Sequence, residues 1–125
     1  WARVDVRVMN QAEADRLDES LRRLQPHLKG ARVEVIGGIN RPPMVRTPAG
    51  VSLFQKAAEI AAELGFSVTE TGTGGGSDGN FTAALGVPTL DGLGVVGDGG
   101  HAQHEHVVIS SLSERAALLA GLLRA

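Results

Sequence analysis

The sequence predicts an α/β fold, and three observations predict it. Short stretches with apolar residues at every second position alternate with longer stretches whose apolar residues recur every three or four positions. Glycine and proline separate most of these stretches. Two glycine-rich loops also flank one short apolar stretch near residues 87–92, as loops do around a site at the ends of strands. Strands alternating with helices imply a layered architecture with a largely parallel sheet.

Residues 2–8 place Ala2, Val4, Val6 and Val8 on one side and Arg3, Asp5 and Arg7 on the other, the pattern of a half-buried strand. Asn10 followed by Glu13 forms a capping box for a helix bearing Leu17, Leu21, Leu24 and Leu28, with Asp18–Arg22 and Glu19–Arg23 on its outer face. Pro26 and Lys29-Gly30 end it, and residues 31–36 alternate again as a second strand. Three prolines and two glycines then exclude regular structure from residues 37–49, where a domain boundary is expected. A helix follows over residues 50–64, with Val51, Phe54, Ala58, Ala61 and Leu64 as its stripe and Gly65 as its stop. Residues 66–71 read as a strand feeding the glycine run, Ser77 and Asp78 open a helix closed by Gly86, and residues 87–92 read as another strand. A short strand at residues 107–109 precedes a final helix, capped by Ser111 with Glu114 and bearing Leu112, Ala116, Leu119 and Leu123.

The 125 residues suit one domain or two small pieces, with an Ala, Val, Leu and Ile core, since there are three Phe, one Trp and no Tyr. A net charge of −2 with both signs scattered leaves no basic patch for nucleic acid. No apolar run approaches the ~20 residues of a membrane span, and no signal peptide is recognisable. The absence of cysteine excludes disulfides and thiolate metal sites, and a cytoplasmic setting is expected. The start at Trp1, within a strand pattern and without Met, reads as a fragment of a longer protein.

Candidate chemistry concentrates in residues 71–106. Glycines before a helix start leave main-chain N–H groups for an anionic ligand or an oxyanion. The run Gly74-Gly75-Gly76-Ser77 lacks the Lys-Ser/Thr ending of a phosphate loop, and Ser77 lacks the Gly-x-Ser-x-Gly setting of a nucleophile, so a capping role suits it better. His101, His104 and His106 have spacings able to place imidazoles on one metal, or to form an ordinary loop cluster. A complete zinc site takes three or four protein ligands. His27 reads as a solvated residue at a helix C-terminus. Arg7 reads as a solvated strand residue, whereas Arg41 stands in a rigid Asn-Arg-Pro-Pro connection that suits either bidentate carboxylate binding or an inter-domain salt bridge.

Four stretches together carry a family resemblance: Val4-Asp5-Val6-Arg7, Asn40-Arg41-Pro42, Thr73-Gly74-Gly75-Gly76-Ser77-Asp78, and Gly100-His101 with Glu105-His106-Val107. The chain resembles, over essentially its whole length, the C-terminal part of the dizinc metallopeptidase family of glutamate carboxypeptidase, acetylornithine deacetylase, succinyl-diaminopimelate desuccinylase and the aminoacylases, nearest the glutamate carboxypeptidase-like branch. The resemblance implies that residues 1–38 are the last β-α-β of a ferredoxin-like lid and dimerisation domain, with a further strand lying between the two present. Residues 39–125 would be the C-terminal part of the α/β catalytic domain. It implies His101 as a zinc ligand, two zinc ions per active site in the parent, and a homodimer formed through the lid. Arg7 and Arg41 would grip a substrate carboxylate, Gly74, Gly75, Gly76 and Ser77 would line the pocket, Asp78 would be structural, and Glu105 would support or cap. His106 stands where the family usually has Tyr. The catalytic glutamate and the other ligands are expected outside these residues, so the chain alone is expected to be inactive. The implied activity is hydrolysis of a peptide or N-acyl amide bond beside an amino acid with a free carboxylate. The alternatives are an N-acyl amino acid deacylase of the same family and a non-catalytic binding or dimerisation protein.

Overall fold

The computed structural model describes residues 1–125 and contains four helices and one two-stranded ladder. The chain divides into two compact units: residues 1–45 with 73–87, and residues 46–72 with 88–125.

In the first unit, helix α1 spans Gln11–Arg22. Its N-terminus follows the sequence expectation in part: the Asn10 side chain accepts the Glu13 amide at 2.9 Å, while the Glu13 carboxylate turns to Arg16. The expected Asp18–Arg22 and Glu19–Arg23 pairs form, and Arg22 also donates to the Gly37 carbonyl at 3.0 Å. The helix stops before Leu24 and Leu28, which are exposed. Pro26 would clash with the carbonyl four residues back, so the leucine stripe outruns the helix that could carry it. Helix α3, Gly79–Ala84, closes as expected: Gly86 takes φ 81°, its amide reaches Ala83, and Val87 reaches Thr82 in a Schellman arrangement.

The predicted strands at residues 2–8 and 31–36 are not strands here, and Val4 is 67% exposed. Alternation encodes a face for a sheet, but a strand also needs a neighbouring backbone to accept its ladder bonds, and no segment pairs with either stretch.

In the second unit, helix α2 runs Pro48–Glu63. It begins two residues earlier than predicted, because Pro48 occupies the first turn, where a missing N–H costs nothing, and Thr47 caps Gly50 at 3.0 Å. Gly65, at φ 88°, closes it through bonds to Ala62 from its own amide and to Ala61 from Phe66. Helix α4, Ser111–Leu122, packs on α2. A side chain at Gly121 would meet Ile60 Cγ2 at 2.6 Å, so a glycine is what allows this close crossing. Ala57, Ala61 and Leu118 form the centre, with Ile60, Phe66, Val68, Leu90, Leu93 and Leu122 around them. The inward stripe of α4 is Ser111, Arg115, Leu118 and Leu122, whereas the predicted Leu112, Leu119 and Leu123 are exposed. Leucines on more than one side of α4 left its periodicity unable to choose a face.

The predicted strands at residues 66–71 and 87–92 are likewise absent, and the expected parallel sheet is replaced by one short antiparallel ladder. Strand β1, Gly97–Asp98, pairs with β2, His106–Val107, in the register Gly97↔Val107 and Asp98↔His106. The predicted strand at residues 107–109 thus survives only as β2, and β1 lies in what the sequence suggested was loop. No helix is long and apolar enough to cross a membrane.

Candidate functional site

Three stretches far apart in sequence meet around the glycine run in the first unit. A side chain at Gly74 would lie 3.3 Å from Arg7 Cδ, and one at Gly76 would lie 2.9 Å from Arg41 Cδ. Bare main chain at Gly76 makes room for the Arg41 stem, and Arg7 lies close against Gly74. Arg7 reaches Asp5 at 3.2 Å in an exposed pair, which contributes about 1 kcal/mol or less. Arg41 is better supported. Its guanidinium lies 5.0 Å from the centroid of the Phe81 ring, an arrangement worth about 0.5–1 kcal/mol at an exposed position. It also approaches Asp78 at 3.4 Å, at the long end for a hydrogen bond, with that carboxylate 95% exposed. The result is a cation with a stacked face and only a weak internal counter-charge.

The loop itself is held by its own side chains. Thr73 Oγ1 accepts the Gly75 amide at 3.2 Å, Ser77 Oγ accepts the Gly79 amide at 3.0 Å, and Asn80 Oδ1 accepts the Ser77 amide at 2.9 Å. Asn80 Nδ2 then donates to the Pro42 carbonyl at 2.8 Å. Each such bond contributes about 1 kcal/mol. Several of the amides that the sequence left for an anionic ligand are thus taken internally, and α3 has only six residues. Asp78 stands at the N-cap without a side-chain capping bond, whereas the capping role expected of Ser77 is met by its hydroxyl at the Gly79 amide, with Asn80 holding the Ser77 amide. The sequence reading gave neither Asn80 nor Phe81 a supporting role. The available signal was an Asn three residues after Ser77, a spacing at which a short amide reaches back to backbone.

His101 belongs to the second unit, on the loop joining β1 to β2. The loop turns through Gly99 at φ 72° and His101 at φ 68°, tied by the Ala102 amide to Gly99 at 2.7 Å. A left-handed non-glycine residue costs on the order of 1 kcal/mol, and His is among the residues enriched there. The His101 amide donates to the Glu105 carboxylate at 3.3 Å, so Glu105 supports the backbone of this turn. His104 lays its ring against Gly99, where a side chain would meet Cδ2 at 2.6 Å. His106 Nδ1 is 3.0 Å from the His104 carbonyl, which can only accept, so Nδ1 carries the proton.

At the base of this loop, Ser111 replaces its predicted capping role with a buried one, donating to the Val108 carbonyl at 2.7 Å and accepting the Val96 amide at 3.0 Å. A side chain at Gly97 would sit 2.2 Å from the His106 carbonyl oxygen, so β1 tolerates only glycine there. Val95, Gly97, Asp98, Glu105 and His106 line a shallow groove of 380 Å³, and His101 is outside its lining. A larger groove of 610 Å³, between Ile60 and Gly121, carries none of the candidate residues.

Nowhere do three His, Cys, Asp or Glu side chains converge on one point. His101 supplies a single imidazole, one of the three or four ligands that zinc takes. The residues present do not by themselves make a zinc site.

Elsewhere in the second unit, Arg46 holds Glu70 across 24 positions, with Nε at 3.0 Å and 3.1 Å and a second nitrogen at 2.7 Å. Hydrogen bonds from this guanidinium hold the Glu70 carboxyl below its ordinary range, and the carboxylate in turn raises Arg46. Arg115 lies 6.0 Å from the Phe66 ring.

Comparison with known proteins adds two findings. The family model described as Peptidase family M20/M25/M40 matches residues 4–125. Carboxypeptidase G2 of Pseudomonas sp. (strain RS-16) is 33% identical over 123 residues, which is 95% of this chain and 30% of that protein's length. No solved structure matches the chain.

Proposed function

The chain belongs to peptidase family M20/M25/M40, and on that premise we propose that it is the C-terminal part of a zinc-dependent hydrolase that cleaves a peptide or N-acyl amide bond beside an amino acid bearing a free carboxylate. The relative it matches over 95% of its length is itself a carboxypeptidase. The observation that carries the substrate class is the gathering of Arg7 and Arg41 around the bare main chain of Gly74 and Gly76. A guanidinium stacked on a ring keeps its in-plane N–H donors for a planar carboxylate, which it can bind through two parallel bonds. In this reading Arg41 binds the carboxylate, Arg7 adds positive charge, and the 74–77 loop lets the substrate lie close to main chain. His101 would furnish one ligand to zinc, two ions being expected per site, and zinc would supply the activated water.

In the same reading, residues 1–38 belong to a lid and dimerisation domain and residues 39–125 to the catalytic domain, in a cytoplasmic homodimer. The exposed Val4, Val6, Val33 and Val35 suit a sheet face that other strands would cover. The experiment is zinc content and hydrolysis of an N-acyl-glutamate panel by the full-length protein and its His101→Ala variant. The proposal expects hydrolysis by the wild type, and loss of about one zinc together with activity in the variant. Unchanged zinc and activity in the variant would remove His101 from the site, and a wild type inert across the panel would remove the substrate class. The 125-residue chain alone is expected to hydrolyse none of the panel.

A further inference from the structure

We propose that Asn80 is a positioning residue for Arg41, setting the direction in which the guanidinium meets a carboxylate; this rests on the carboxylate-binding reading above. The Asn80 amide joins two segments 38 residues apart, donating from Nδ2 to the Pro42 carbonyl at 2.8 Å. Its other end, Oδ1, accepts the Ser77 amide at 2.9 Å. One flat, partly buried group therefore fixes both the connection that carries Arg41 and the loop over which Arg41 lies. The proline ring passes the constraint on, because the locked φ of Pro42 couples its carbonyl to the backbone of Arg41.

The other contacts of Arg41 do not set its direction as strongly. Asp78 is 3.4 Å away with its carboxylate 95% exposed, so solvent and salt screen that pair. Phe81 supports one face of the guanidinium at 5.0 Å without consuming a donor, which defines a plane but leaves rotation within it. Gly76 admits the Arg41 stem but offers nothing to hold it. What remains is the backbone under Arg41, and the bond from Asn80 to Pro42 is what ties that backbone to the glycine loop.

The test uses the full-length protein with ¹⁵N-labelled arginine, and the Asn80→Ala variant. The Phe81 ring, 5.0 Å from the guanidinium, is expected to displace the Arg41 Nε–H resonance, which would be identified by its absence in Arg41→Lys and should lose its displacement in Phe81→Leu. In Asn80→Ala it is expected to move most of the way to its position in Phe81→Leu. The second readout is the ratio of kcat/KM for an N-acyl-glutamate over its α-amide, which is expected to fall about tenfold in Asn80→Ala. An unmoved Arg41 resonance overturns the proposal, as does an equal loss on acid and amide, since a merely structural role would lower both alike. If Asn80→Ala fails to fold, Asn80→Asp keeps the acceptor for Ser77 but loses the donor to Pro42, and the same two outcomes decide. A wild type with no preference for the free acid, in which Asn80→Ala still moves the resonance, supports the positioning of Arg41 and overturns the carboxylate reading instead.

Discussion

The two candidate regions are built in opposite ways. The glycine loop at residues 73–78 is braced locally by Thr73, Ser77 and Asn80, but its tie to the Arg41 segment spans 37 and 38 positions and rests on single side chains: Arg41 to Asp78 and Asn80 to Pro42. The His101 loop is local. Residues 97–107 close on themselves through backbone pairing, two left-handed residues and the Glu105 carboxylate, and Ser111 clamps the base. Local construction holds the His101 backbone through several short-range contacts in a left-handed conformation, whereas the Arg41 segment is tied to its loop by single side chains. A change in the first region should therefore alter recognition, and a change in the second should alter stability.

The sharpest way to break this contrast is Gly97→Val. With 2.2 Å between the new Cβ and the His106 carbonyl oxygen, the ladder cannot persist. Denaturant unfolding should report a loss of about 3 kcal/mol. A loss below about 0.5 kcal/mol would mean that the ladder does not anchor the loop. Ser111→Ala comes next. It leaves the Val96 amide without its buried acceptor, while the Val108 carbonyl keeps the Ser111 amide at 3.0 Å, for a loss of about 1 kcal/mol, and amide exchange should quicken over residues 96–108 with the first unit unaffected.

His101→Gly should go the other way. Relief of the left-handed conformation at φ 68° is expected to add about 0.5–1 kcal/mol of stability while removing the candidate ligand. A destabilised variant would show that the imidazole itself holds the turn. The smallest effect concerns neither loop and so serves as a baseline. Glu70 has a depressed folded pKa, so its contribution is present above the unfolded value of about 4.3 and is lost as pH falls through the folded value. Glu70→Gln should lower the melting temperature slightly at neutral pH, and the difference should shrink as acid protonates the carboxylate. A difference that persisted in acid would assign the effect to packing rather than to the charge pair.

Legibility in the sequence follows the same division. Gly65 and Gly86 announce their helix ends because a left-handed position is a local demand that glycine meets, and Asn10 announces a helix start for a similar reason. The strands were not legible as strands: the alternation of Val4, Val6, Val33 and Val35 states which face should be covered but not whether a partner is present to pair with it. The inward face of α4 was missed because apolar residues surround much of it. Pro48 was read as a breaker although it sits where a helix accepts it. No spacing rule brings Arg7 and Arg41 to one glycine run, and their common role came only from resemblance. Asn80 and Phe81 were invisible as supports because their partners lie at Pro42 and Arg41.

In the proposed reading Arg41, laid over the glycine run, recognises a carboxylate. The most direct measurement is kcat/KM of the full-length protein for an N-acyl-glutamate and for the matching α-amide, in the wild type and in Arg41→Ala. A charge-assisted pair of hydrogen bonds is worth about 1.5–3 kcal/mol, so the wild type should prefer the free acid by roughly ten- to a hundredfold. In Arg41→Ala that preference should disappear, with activity on the amide little changed. A preference that survives intact in Arg41→Ala would place carboxylate recognition on other residues.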